Sequence, residues 1–163
     1  MDNGTHRRST FRKSPNRPSG SGVWTPANNL LTPAKRTGRI AENLAVYYLR
    51  ARGWVILARN YKTHAGEIDI IASRMNEDLR GYPTVAFVEV KSRTTSKGLP
   101  PVMSVTRAKR HKITAAMHKW IGSHARVKAV YRCDIASIVV EKGRAPRITY
   151  YPAAFCAREE FVW

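Results

Sequence analysis

The chain has 163 residues, 43% of them apolar, and 29 Lys and Arg against 11 Asp and Glu, for a formal charge of +18. That length suits one domain with a tail, and the apolar share can build a core, which excludes wholesale disorder. The apolar runs Ile68–Ala72 and Ile135–Val140 fall far short of the roughly 20 residues of a membrane-spanning helix.

No apolar segment of a secretory signal follows Met1, and two cysteines, Cys133 and Cys156, supply neither a disulfide framework nor a four-thiolate zinc site. The expected setting is the reducing cytoplasm. The charge calls for a polyanionic partner, a nucleic acid before a membrane. Charge serving solubility alone is the plainer alternative, but so large an imbalance also repels itself.

Residues 1–36 are rich in Pro, Gly, Ser, Thr and Asn, with seven basic residues against Asp2 (+6), which leaves +12 on residues 37–163. No period survives there, so 1–36 reads as a disordered basic arm and 37–163 as the domain. The arm also has the composition of a transit peptide, but its Pro and Gly residues oppose an amphipathic helix.

From Gly38 to Arg52 the apolar positions Ile40, Ala41, Leu44, Ala45, Tyr48 and Leu49 form a helical stripe, and Gly53 suits its C-terminal end. Trp54–Asn60, Glu67–Ser73 and Val85–Lys91 read as strands. Thr106 can cap a second helix running to about Ser123, with Ile113, Ala116, Met117, Trp120 and Ile121 on its apolar stripe. Val130–Val140 and Arg147–Tyr151 complete an α-β-β-β-α-β-β order, which predicts one mixed sheet with helices packed on it.

Three of the domain's few acids lie in the second and third predicted strands. Alternation places Glu67, Asp69 and Ile71 on one face and Ile68, Ile70 and Ala72 on the other, while Val85, Phe87, Glu89 and Lys91 share a face of the next strand. Paired strands would let Asp69, Glu89 and Lys91 converge. Buried carboxylates are costly unless paired or bound to a cation. Two or three carboxylates with backbone oxygens suit Mg²⁺ or Mn²⁺, whose charge favours attack on a phosphodiester. A lysine on the same face can orient water or stabilise developing negative charge. An ion pair of Lys91 with Glu89 or Asp69 on a solvated face explains the same spacing.

Glu42 lies at the margin of the first apolar stripe, as a fourth member of the acid set or as a solvated partner of Arg39 or Arg50. Lys109 lies one turn before Ile113, either snorkelling or facing a phosphate. Arg107, His111, Lys112 and Lys119 give the second helix a basic face fit for backbone contacts. The histidines and cysteines have no metal-ligand spacing, and there is no nucleophile elbow or phosphate-binding Gly-rich loop.

Gly38-x-x-x-Glu42, Gly53-Trp54-x-Ile56-Leu57-x-Arg59-Asn60, Gly66-Glu67-Ile68-Asp69-Ile70-Ile71-Ala72 and Phe87-Val88-Glu89-Val90-Lys91-Ser92-Arg93 together resemble the YraN family of small bacterial proteins. Pro101-x-x-Ser104-Val105-Thr106-x-x-Lys109, Arg132-Cys133-Asp134-Ile135 and Ala154-Phe155 are similar to its later blocks. The resemblance covers about 38–155, leaving out the arm. It implies a PD-(D/E)XK nuclease-like fold, the restriction-endonuclease-like α/β sheet flanked by helices. The pattern is also similar to archaeal Holliday-junction resolvases.

The resemblance further implies that Asp69, Glu89 and the carbonyl of Val90 hold Mg²⁺ or Mn²⁺, that Glu42 is a ligand or positions water, and that Lys91 is the catalytic lysine. Arg93, Lys109, Lys112 and Arg107 would contact phosphates. The chain departs from the family pattern at Ala41, at Lys97-Gly98-Leu99-Pro100 and in a longer loop, Met75–Pro83. The expected activity is metal-dependent endonucleolytic hydrolysis of branched or flapped DNA, and a junction's two symmetric strands suggest a homodimer. The alternative is a non-catalytic nucleic-acid-binding protein of the same fold, with a ribosome-associated RNA partner as a third reading.

Overall fold

The computed structural model describes residues 32–75, 81–95, 101–124 and 128–155. Helix α1 spans Pro33–Arg50, followed by strands β1 (Val55–Thr63), β2 (Gly66–Arg74) and β3 (Thr84–Arg93). A short 3-10 turn, Pro101–Ser104, precedes helix α2 (Arg107–His124), and strands β4 (Val130–Val139) and β5 (Arg147–Phe155) follow.

α1 starts five residues before the helix expected from the sequence. The Thr32 side chain accepts the N–H of Lys35 at 3.4 Å, and Pro33 occupies the first helical positions, where its missing donor costs nothing. Residues 33–36, assigned to the arm on composition, are therefore the first turn of α1. The rest of the expected arm lies outside the described residues. Ala41, Ala45 and Leu49 are buried as their spacing requires, but Ile40 is 44% exposed and Val46 takes a core position instead.

The five strands form one mixed sheet in the order β1-β2-β3-β4-β5. Only β3 and β4 run parallel, joined by the crossover that contains α2, while the other neighbours are antiparallel. The two faces carry separate cores. On one face Ile113, Met117 and Trp120 of α2 pack on Ile68, Ile71, Val85 and Phe87 of the sheet. On the other face Ala41, Ala45 and Leu49 of α1 pack on Ile70, Ala72, Ala86 and Val88. The architecture is a restriction-endonuclease-like α/β domain with one helix on each side of the sheet.

The expected alternation of β2 breaks at Asp69. Ile68 joins Ile71 in the core under α2, and Ile70 and Ala72 join the core under α1. On the neighbouring strand, Arg59 pairs with Ile70 and Tyr61 with Ile68. Asn60, between them, has φ 50°, a left-handed conformation that Asn tolerates better than most residues. This local turn of the ribbon lets Ile68 change sides and leaves Asp69 pointing to neither core.

Asp134 on β4 is fully buried. It accepts from Arg132 Nε at 3.1 Å, from the Ala153 N–H at 2.9 Å and from the Tyr150 hydroxyl. Three donors satisfy a carboxylate that would otherwise be prohibitive there. The network pins β5 to β4 where their register shifts. Burial and Asp134 together push the Tyr150 hydroxyl's pKa well up.

Candidate active site

The β2–β3 ladder ends at the pair Ile70–Val88. Beyond it a side chain replaces the missing rung: Asp69 Oδ2 accepts the backbone N–H of Val90 at 2.7 Å. The carboxylate is thereby fixed against the strand segment that carries Glu89 and Lys91. Glu89 is 3% exposed, and its Oε1 accepts from Lys91 Nζ at 2.8 Å. The other oxygen, Oε2, is buried and accepts no hydrogen bond among the described residues. It faces the Lys109 ammonium at 3.3 Å, close enough for charge attraction but outside hydrogen-bond geometry.

Lys109 crosses from α2 to this end of the sheet and also lies 3.6 Å from Glu67 Oε1. Burial works against its ammonium, but Glu89 and Asp69 outweigh it and hold the pKa above the usual 10.5. On its spacing alone Lys109 either snorkels or faces a phosphate. In the structure it is the counter-ion of Glu89 and Glu67, and its place on the inward stripe of α2 is the sequence signal for that position.

Asp69 responds to the same surroundings. Burial and the neighbouring Glu89 raise its pKa from 3.8 to about 6, against the opposing pull of the Val90 N–H and Lys109, with a further upward push from Glu42. A carboxyl so displaced, next to a specific charge partner, marks a candidate functional centre.

Glu42 acts on this group through its charge, adding to the upward push on Asp69. Its Oε2 accepts from Asn60 Nδ2 at 3.4 Å and lies 3.8 Å from Arg59 Nη2. Arg59 also donates to Asn43 Oδ1 at 2.8 Å. Local helix spacing could not announce a partner on β1. Arg107 and Lys112 are exposed on α2, and Arg93 is half-buried at the end of β3.

Among the described residues no three His, Cys, Asp or Glu side chains assemble into a ready-made metal cage. The donor set at the strand fork is nonetheless that of a hard cation: the carboxylates of Asp69 and Glu89 with the Val90 carbonyl nearby. A buried carboxylate oxygen without a hydrogen bond, and a second carboxyl whose ionisation is opposed, are both groups that a divalent cation would satisfy. Asp69 and Glu89 therefore fit Mg²⁺ or Mn²⁺, with the remaining sites left to water. No helix among the described residues is long and apolar enough to cross a membrane.

Residues 41–138 match the model of the uncharacterised protein family UPF0102. The chain is 38% identical to a UPF0102 protein of Geobacter metallireducens over 121 residues, which are 74% of this chain and 93% of that relative. It is 35% identical to one of Myxococcus xanthus over 127 residues, covering 77% and 94%. With one of Methylocella silvestris the identity is 45% over 87 residues, covering 53% and 63%. Matched by the family model over residues 41–138, and spanning 93% and 94% of two relatives at 38% and 35% identity, the chain belongs to the UPF0102, or YraN, family.

Proposed function

We propose that this protein is a metal-dependent endonuclease that hydrolyses phosphodiester bonds in branched or flapped DNA. One observation carries the reading: where β2 and β3 part, Asp69 is held by the Val90 N–H at 2.7 Å, on the amide between Glu89 and Lys91, and Lys91 lies on Glu89 at 2.8 Å. A bound Mg²⁺ or Mn²⁺ would supply charge neutralisation at the phosphoryl group and a more acidic water. Asp69 and Glu89 would hold it, with the Val90 carbonyl as a further oxygen.

The chain's own groups have separable tasks. The Val90 N–H orients the Asp69 carboxylate before substrate arrives, which removes reorganisation from the chemical step. The Lys91 ammonium, fixed by Glu89, is placed to orient the attacking water or to stabilise negative charge as it develops on the phosphate. Lys109 offers a second ammonium beside the same carboxylate. Arg93, Arg107 and Lys112 would contact flanking phosphates, and two copies could serve the two equivalent strands of a junction.

The test is a panel of labelled linear, flap and four-way DNA substrates with Mg²⁺, Mn²⁺ or chelator, run beside Asp69→Asn and Lys91→Ala. The expected result is metal-dependent nicking of the branched substrates, lost in both variants. Cleavage by Asp69→Asn equal to wild type, with contaminants excluded, would remove Asp69 from the centre.

A second reading has its own support. Lys109 already neutralises Glu89, and the described residues lack a three-ligand acidic cage. These features suit a nucleic-acid-binding protein that uses the fold without turnover. Calorimetric titration with Mg²⁺ separates the two: heat of binding dependent on Glu89 favours the nuclease, and none favours the binder.

A further inference from the structure

A cavity of about 400 Å³ opens between the β1–β2 hairpin tip and α2, lined by Lys62, Thr63, His64, Gly66, Lys109 and Lys112. Ligand pockets start at roughly 300 Å³, so the space admits an organic group and not merely an ion. Its walls are built in advance. Thr63 Oγ1 accepts the N–H groups of Ala65 and Gly66 at 3.1 Å each and donates to the Gly66 carbonyl at 3.1 Å. Gly66 then lies directly on the α2 backbone, where a Cβ would come within 2.2 Å of the Lys112 carbonyl oxygen.

The lining is cationic after its internal pairing is subtracted. Glu67 is its single carboxylate and is engaged by Lys109. Lys62 and Lys112 are exposed and form no ion pair among the described residues. Lys109 is a shared wall, since the same ammonium faces Glu89 Oε2 at 3.3 Å. An anion seated here is therefore next to whatever occupies the acidic centre.

We propose that this cavity is a nucleotide subsite that takes one nucleotide of the bound strand, with its phosphate against Lys62, His64 and Lys112, beside the phosphate engaged at Asp69 and Glu89. The inference rests on the nucleic-acid reading of the site but not on turnover. Continuity with the acidic centre and the chain's +18 charge favour a polymer over a free phosphorylated metabolite.

The test is fluorescence anisotropy of a labelled four-way DNA junction with the full-length protein in chelator, over a range of salt. Lys62→Ala with Lys112→Ala should weaken binding about 10- to 100-fold and flatten the salt slope by about 2, close to one unit per lost phosphate contact. Lys128→Ala with Lys142→Ala, both exposed and outside the cavity lining, removes equal charge and should flatten it by less than 1. Equal losses from the two pairs, or no loss from the first, would overturn the subsite.

A second arm follows the Ala65 and Gly66 amide resonances during titration with deoxythymidine monophosphate or thymidine. A saturable shift with the phosphorylated compound alone supports the subsite, and no shift, or equal shifts, refutes it. A wild type that binds in this pattern yet never cuts would remove the endonuclease reading alone. Intact cleavage without the pattern would remove the subsite alone.

Discussion

Asp69 Oδ2 accepts the N–H of Val90 at 2.7 Å, two residues past the last β2–β3 pair, Ile70–Val88. This bond continues a strand ladder with a side chain. It keeps the β3 backbone donor satisfied while the two strands separate, and it aims a carboxylate into the resulting fork. Glu89 and Lys91 flank the bonded amide on the same strand, so one hydrogen bond sets the relative position of three charged groups.

That arrangement has a pH signature. The folded pKa of Asp69, about 6, lies above its usual 3.8, so between those values the native state keeps a proton that the unfolded chain has released. Stability from this group is fully present below the unfolded value and is lost as pH rises through about 6, by ~3 kcal/mol at 1.36 kcal/mol per unit. Asp69→Asn should therefore raise the melting temperature at about pH 8, with the gap closing towards pH 4. Mg²⁺ at about pH 8 should stabilise the wild type and not the variant. A pH-independent difference in thermal denaturation would contradict the assignment.

Lys109 holds the Asp69 pKa down and Glu42 pushes it up, so their substitutions should act in opposite directions. Lys109→Ala is expected to move the Asp69 carboxyl titration above about 6, and Glu42→Gln to move it lower. Carbon-detected NMR titration of the Asp69 carboxyl reads both. Movement in the same direction would mean that the two groups do not act on Asp69 through their charges.

Two glycine replacements should have contrary effects. Gly66→Ala drives a Cβ to 2.2 Å from the Lys112 carbonyl oxygen, and overpacking of this kind costs about 1–3 kcal/mol. Gly38→Ala meets nothing within 4 Å inside α1, where Ala gains up to about 1 kcal/mol over Gly. Urea unfolding midpoints should fall for the first and rise or hold for the second.

The buried network on β4 is a test of stability rather than chemistry. Asp134→Ala strips the partner from Arg132, Tyr150 and the Ala153 N–H, and breaking a buried charged set costs about 3–5 kcal/mol. Tyr150→Phe removes one donor and should cost about 1–3 kcal/mol. Chemical denaturation distinguishes these values, and a neutral Asp134→Ala would show that the carboxylate is not a structural tie between β4 and β5.

The helical stripe Ala41, Ala45 and Leu49 and the stripe Ile113, Ala116, Met117 and Trp120 were legible because each repeats the helix period, and all seven are buried. The opening turn of α1 was not: Pro33 looks like a breaker by composition, and its role at a helix start depends on Thr32. Ile68 was assigned to the wrong face because strict alternation has no provision for Asn60 at φ 50° on the neighbouring strand. The approach of Arg59 to Glu42 from β1 is not legible in the sequence, because helix spacing carries no information about a neighbouring strand.

By itself the sequence determined the order and kind of the elements and the acidic and basic side chains carried by the central strands and α2, because periodicity and residue type are local properties. Only the tertiary structure decided which atoms meet: Asp69 on the Val90 amide, Lys109 on Glu89, Gly66 on the α2 backbone. Those contacts depend on strand register, on the twist at Asn60 and on the approach of α2, all of which arise from packing between segments distant along the chain.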